Sequence, residues 1–398
     1  MQYTEVNSLY IHVPFCISKC AYCDFFSVTD CFCPKNEIPQ SYLTALYNEI
    51  NFRKNQFNIQ DLKTIYIGGG TPSLLSEKQL SELLSYLKNN FKTDGAEISI
   101  EANPDDLTEE KINSFKTCGI NRISCGIQSL NEDSLKFVKR RASAKQNIEA
   151  IKLLKKSGMK FSVDLICGLP YETEKSFLQA LDFVILNKPS HISMYSLTIE
   201  DETPLGKIVN NGNIDYDYDF ADELWLKSKE ILKKNGYFQY EVSNFALKNE
   251  NQKNECLHNL VYWNHQSYAG CGSGATGTVY TDSGEGKRWT NVCDVKKYTS
   301  FWNSNEKKNA RNLLQTSEEI DLETSKFEYF MMGMRKTSGV SQNHFRSVFM
   351  QDWPLNFIEL CEKWKKKKLL EIEEVAGDKI ARLNEKGLLF LNNFLENL

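Results

Sequence analysis

The feature that most limits the fold is a sixfold alternation of short β-branched runs with longer amphipathic ones across the first two thirds of the chain. SLYIHV precedes a helical pattern near Ile38 to Lys54, and LKTIYIGGG precedes one from Ser76 to Phe91. AEISIEANP then leads into a helix from Thr108, RISCGIQS into helical segments through Lys156, FSVDLICGLP into a helix from Thr173, and HISMYSLTIE towards another from Asp219. Parallel strands need a long crossover, which a helix supplies, so this order implies an α/β fold with a mostly parallel sheet. Six units suit a partial (β/α)6 barrel and a doubly wound sheet alike. The strand ends favour the barrel. Gly68 to Thr71, Glu101 with Asn103, Gln128, Asp164 and Thr198 place polar or glycine residues at successive strand C-termini, where barrels build their sites.

After YFQYEVSNFA the texture changes to a glycine-rich stretch, Tyr268 to Tyr280, and then a polar segment around Asn303 to Asn312. The expected division is a core over residues 1–245, a connecting region over 246–310 and a C-terminal domain over 311–398. In the last part, FEYFMMGMRKTSGV, NFIELCEKWKKKKLLEI and KIARLNEKGLLFLNNFL read as the amphipathic helices and short strands of a small helical, winged-helix-like unit. The lysine run Lys365 to Lys368 reads as a solvated helix face.

The net charge of -4 offers no general attraction to nucleic acid or to an acidic membrane. MQYTEVNSLYIHV lacks a basic stretch followed by a long apolar one, and no later segment reaches spanning length, so the expectation is a cytoplasmic protein without a membrane anchor. In that compartment thiols stay reduced, and clustered cysteines point to metal rather than to disulfides.

HVPFCISKCAYCDFF holds such a cluster: Cys16, Cys20 and Cys23, spaced C-x3-C-x2-C directly after the first strand. Structural zinc takes four protein ligands, and His12 would complete a Cys3His set. Three thiolates on an iron-sulfur cluster instead leave one iron open to an outside ligand, with Tyr22, Phe25 and Phe26 as shields against water. Cys31 and Cys33, in DCFCP, read as free thiols, and Cys118, Cys125, Cys167, Cys271, Cys293 and Cys361 as small packing residues.

The loop and its setting resemble the radical SAM superfamily. The resemblance implies a [4Fe-4S] cluster on Cys16, Cys20 and Cys23, with S-adenosyl-L-methionine (SAM) on the fourth iron, in a partial (β/α)6 barrel. GGGTP, Gly68 to Pro72, is similar to the stretch that contacts the SAM methionine moiety there. Tyr10, Gly69, Gly70, Thr71, Glu101, Gln128, Arg140 and Asp164 fall on family positions that bind SAM, with Arg141 as a rival to Arg140.

LYIHVPFCISKCAYCDFF, GGGTP, IEANP, GIQS and DLICGLP together resemble a narrower group that contains oxygen-independent coproporphyrinogen III dehydrogenase and heme chaperones. The C-terminal KIARLNEKGLLFLNNFL also resembles that group's terminal domain. The dehydrogenase branch carries another cysteine where this chain has Phe25, and an extension ahead of the loop. HNLVYW, His258 to Trp263, instead matches the HNxxYW motif of the chaperone branch. That branch implies heme as a ligand, delivered to apo-hemoproteins such as respiratory enzymes, with no bond-making chemistry of its own. The alternative is SAM-dependent oxidative decarboxylation of coproporphyrinogen III in porphyrin biosynthesis; a third is a zinc-stabilised interaction protein. His258 offers heme iron an imidazole, and Tyr262 and Trp263 offer aromatic surface. A core histidine among packed aromatics is the plainer reading, and Cys256 and His265 are rival ligands.

Overall fold

The computed structural model describes residues 3–29, 37–250, 253–304 and 314–398. Cys31 and Cys33 lie outside the described residues. Six strands, β1 (Ser8–Val13), β2 (Thr64–Gly69), β3 (Glu97–Ala102), β4 (Arg122–Gln128), β5 (Lys160–Cys167) and β6 (His191–Ser196), lie side by side in chain order. All five pairings between them are parallel. The expected starts of the intervening helices are their caps. Ser76 accepts from Gln79 N–H ahead of the helix Glu77–Asn90, and Thr108 and Thr173 do the same for Glu109–Cys118 and Glu174–Leu186.

Three further strands widen the sheet without closing it. β7 (Tyr237–Gln239) and β8 (Asn244–Leu247) add antiparallel beyond β6, and β9 (Ala269–Cys271) adds parallel beyond β1. The result is an α/β partial barrel.

Alternation along the strands sorts side chains between two environments. Ile67, Ile100, Ile123, Val163 and Ile192 are fully buried on the outer face, beneath the helices. On the inner face Glu101 pairs in register with Ser124, Ser124 with Ser162, Ser162 with His191, and Asp164 with Ser193. Barrels are commonly filled with branched apolar side chains. This one encloses a polar chamber.

Beyond β9, β10 (Thr276–Tyr280), β11 (Gly286–Asn291) and β12 (Leu314–Ile320) form an antiparallel sheet whose last strand lies past the boundary expected near residue 310. A second apolar core, built on Phe330, Phe345, Phe357 and Phe394, belongs to the C-terminal part. Its helices Leu322–Gly333, Gln342–Phe349 and Leu355–Lys366 pack with a small antiparallel sheet over Val340–Ser341, Leu370–Val375 and Asp378–Leu383. Lys365 to Lys368 are exposed. Among the described residues no helix is long and apolar enough to cross a membrane.

Candidate functional site

The loop that leaves β1 is pinned by its backbone. Cys16 N–H donates to Val28 C=O at 3.0 Å, Val28 N–H to Pro14 C=O at 2.7 Å, and Ala21 N–H to Val138 C=O at 2.9 Å. Between these anchors Cys16, Cys20 and Cys23 are half-buried free thiols. They line a cavity of about 560 Å³ that runs from the C-terminal ends of the strands into the barrel. Tyr10, Gly69, Gly70, Thr71, Glu101, Gln128, Arg140, Asp164 and His258 line the same cavity, with Tyr262, whereas Trp263 does not.

Two sulfurs already have donors, Thr71 Oγ1 at 3.4 Å from Cys16 Sγ and Arg140 Nη1 at 3.4 Å from Cys20 Sγ. Arg140 also donates to Asn103 Oδ1 (2.8 Å) and Gly126 C=O (2.6 Å), and its Nε has no partner among the described residues. Arg141 is committed elsewhere, to Asp105 and Asp106. Of the two arginines, Arg140 is the one that lines the cavity. Gln128 reaches the cavity from a register shift in β4, with a left-handed φ of 65°. That conformation is uncommon outside glycine and recurs at functional sites.

His12 does not join the thiols. Its Nε2 donates to Phe26 C=O (3.0 Å), which leaves Nδ1 to accept from Tyr10 O–H (2.8 Å). Burial lowers its pKa to about 4, so the ring is neutral. With both nitrogens engaged it would have to release Tyr10 or Phe26 to complete a Cys3His zinc set. Among the described residues no three His, Cys, Asp or Glu side chains, the loop thiols included, close on one point as the ligands of a single metal ion would.

The chamber carboxyls are held by hydroxyls. Glu101 accepts from Tyr66 O–H (3.0 Å) and Gly69 N–H (3.0 Å), and Asp164 accepts from Ser124 Oγ (3.1 Å) and Ser162 Oγ (3.3 Å). Burial raises Glu101 to about 7 and Asp164 to about 6, against the pull of these donors.

His258 sits at the opposite end of the cavity from the thiols. Nδ1 is 2.8 Å from Thr64 Oγ1, at the start of β2, and Nε2 is 2.8 Å from Tyr262 Oη. Its backbone N–H donates to Glu97 Oε1 (3.2 Å) at the start of β3, and the ring is 1% exposed. Both nitrogens are thus occupied. Of the rival ligands, Cys256 lines the same cavity, whereas His265 stacks on Tyr280 at 3.8 Å outside it.

The sequence reading missed Tyr66, Arg122 and the inward serines of β4, β5 and β6. The signal was present as polar residues two apart in each strand: Arg122 and Ser124, Ser162 and Asp164, and His191 and Ser193.

Residues 10–184 match the model of the Radical SAM superfamily. Over 397 residues the chain is 34% identical to the heme chaperone HemW of Buchnera aphidicola subsp. Schizaphis graminum, covering 98% of this chain and 97% of the relative. It is 31% identical to the heme chaperone HemW of Escherichia coli (strain K12), with 98% and 97% covered. The chain belongs to the HemW family of the radical SAM superfamily. Its fold is also that of Escherichia coli coproporphyrinogen III oxidase (HemN), with a TM-score of 0.79 over 100% of this chain and 91% of that one, at 21% identity.

The site of this HemW-family chain fits the cluster and SAM that the superfamily implies. Three free thiols share one loop at the cavity mouth, and Ser27 Oγ and Arg140 Nε are buried beside them without partners among the described residues. At Gly70 a Cβ would stand 3.0 Å from Cys16 Sγ and 2.7 Å from Phe15 C=O, so glycine leaves the sulfur its room.

Proposed function

We propose that this chain is a heme chaperone: it holds a [4Fe-4S] cluster on Cys16, Cys20 and Cys23, binds SAM over the strand ends, and takes up heme for delivery to apo-hemoproteins. What carries the reading is identity along nearly the whole chain with proteins named heme chaperones, joined to one cavity that gathers the thiols and strand-end residues. The cluster, when bound, supplies an iron with an open position for the SAM amino and carboxylate groups. Tyr10, Gly69, Gly70, Thr71, Glu101, Gln128, Arg140 and Asp164 surround that ligand and exclude water. The working division is the core to residue 245, a connecting region to 310 and the C-terminal domain, in the cytoplasm.

Glu101 and Asp164 give SAM binding a pH dependence. SAM carries a sulfonium cation, which ionised carboxylates attract. Both carboxyls are raised, to about 7 and about 6, so a cationic ligand must draw them into ionisation and expel protons. SAM affinity is expected to climb between about pH 5.5 and 8, with protons released on binding. Calorimetry in buffers of different ionisation enthalpy reads that release, and a pH-independent affinity would remove both carboxylates from the site.

For heme, His258 is the residue to examine. Iron on its imidazole requires Thr64 or Tyr262 to yield its hydrogen bond, so uptake there proceeds with opening of the chamber floor. The deciding experiment reconstitutes the protein without oxygen and measures iron, zinc, heme uptake, and conversion of coproporphyrinogen with SAM and a reductant. Iron with heme uptake and no product is expected. Product formation would sink the chaperone reading in favour of the dehydrogenase one; zinc without iron would sink both. If His258→Ala takes up heme as the parent does, His258 leaves the heme site.

A further inference from the structure

We infer that the HNLVYW segment forms the floor of the SAM chamber, where His258 is a positioning residue for Glu101 that acts through Tyr66. This rests on the reading of Glu101 as a SAM contact.

The helix Leu257–Trp263 fills the end of the barrel away from the cysteines. His258 meets β2 twice, through its hydrogen bond to Thr64 and by stacking on Tyr66, with ring centroids 5.3 Å apart and planes inclined by 23°. Thr64 and Tyr66 are two residues apart and share a face of the strand. The same residue's N–H binds Glu97, four residues before Glu101 on β3, so one residue fixes the height of β2 against β3 from below. Tyr66 then donates to Glu101 Oε1, whose other oxygen holds Gly69 N–H of the GGGTP turn. A path of direct contacts therefore runs from the motif to the glycine turn.

The floor is itself held from outside. Tyr262 packs edge-on against Tyr268 at 4.7 Å, and the Arg335 guanidinium lies 5.5 Å from the Trp263 ring centroid. These contacts leave His258 little freedom. The ring is a neutral bridge, because burial pushes its pKa to about 3.

Glu101 faces Tyr66 on β2, Tyr10 on β1, Asp164 on β5, Tyr195 on β6, and Tyr262 of the floor helix. Of these, Tyr66 alone is hydrogen-bonded to it, and that bond favours the ionised carboxylate. Removing the Tyr66 hydroxyl should raise the Glu101 pKa further. Loss of packing alone would not move it in that way.

The test is calorimetric titration of SAM into the anaerobically reconstituted full-length chain, across pH, for the parent, Glu101→Gln, Tyr66→Phe, His258→Leu and His258→Gln. Tyr66→Phe and His258→Leu are each expected to weaken SAM binding about tenfold, as for a lost hydrogen bond to a charged group. Their double variant should be no weaker than Tyr66→Phe alone. In Tyr66→Phe the pH at which affinity is half-lost should move upward, and His258→Gln, which keeps a donor and an acceptor, should restore most of the affinity. If Glu101→Gln weakens SAM while Tyr66→Phe binds like the parent with an unmoved pH midpoint, the positioning role is wrong and the SAM reading stands. If Glu101→Gln also binds like the parent, that reading fails and takes the inference with it. Tyr66→Phe keeps the ring and its packing, so it decides the question even if His258→Leu does not fold.

Discussion

Cys20→Ala is expected to bring bound iron to background after anaerobic reconstitution, while the chain stays folded. A cluster held by three thiolates has no spare protein ligand, and His12, the imidazole next to the loop, is committed to Tyr10 and Phe26. The loop itself does not depend on the sulfur. Its anchors are the backbone hydrogen bonds at Cys16, Val28 and Ala21, and the Cys20 carbonyl accepts from Cys23 N–H whatever the side chain. Arg140 loses its contact with Cys20 Sγ but keeps Asn103 and Gly126, so the guanidinium stays in place. Iron content and visible absorption, read beside far-UV circular dichroism, separate the two effects. A variant that retains the parent's iron would take Cys20 out of the ligand set, and one that loses its fold would show that the loop is structural.

The strand-helix order was legible because it is written in local periodicity and capping. Ser76, Thr108 and Thr173 mark helix starts wherever they fall in space. The site was legible for a related reason: Glu101, Gln128 and Asp164 interrupt apolar strands at the ends that parallel pairing brings together. Three things depended on the third dimension. The inward serines Ser124, Ser162 and Ser193 look like ordinary alternation until the sheet curves and turns that face into a chamber. His258 could be read as a heme ligand or as a core histidine, but what holds it could not be read, because its partners Thr64 and Glu97 are more than 150 residues away and only the packed barrel sets them around the residue. The extra strand β9, Ala269–Cys271, was hidden in a glycine-rich stretch for the same reason: its hydrogen bonds go to β1.

Gly69→Ala should produce the largest loss of stability among changes at the site. Gly69 has a φ of 113°, which side chains rarely adopt, at a cost of about 1–3 kcal/mol. Its Cβ would also stand 2.6 Å from His12 Cε1 and 2.7 Å from Nδ1, inside a packed interior where such crowding costs about 1–3 kcal/mol more. The ring has nowhere to go without releasing Tyr10 or Phe26, and each lost hydrogen bond adds about 1 kcal/mol. A loss of about 3–6 kcal/mol is a large part of the 5–15 kcal/mol or so that holds a domain together. Gly158→Ala separates the two causes. Gly158 also has a positive φ, 68°, but a Cβ there meets nothing within 4 Å, so it should lose only the backbone part, about 1 kcal/mol. Denaturant midpoints of the two variants measure the difference. Beyond the extra backbone strain of φ 113° over 68°, that difference reflects the displacement of His12, the strut between the glycine turn and the cysteine loop, since the ring that Gly69 accommodates is the one that holds Phe26 C=O. Equal losses would mean that the strut bears nothing, and the loop would then have to be held by its own backbone alone.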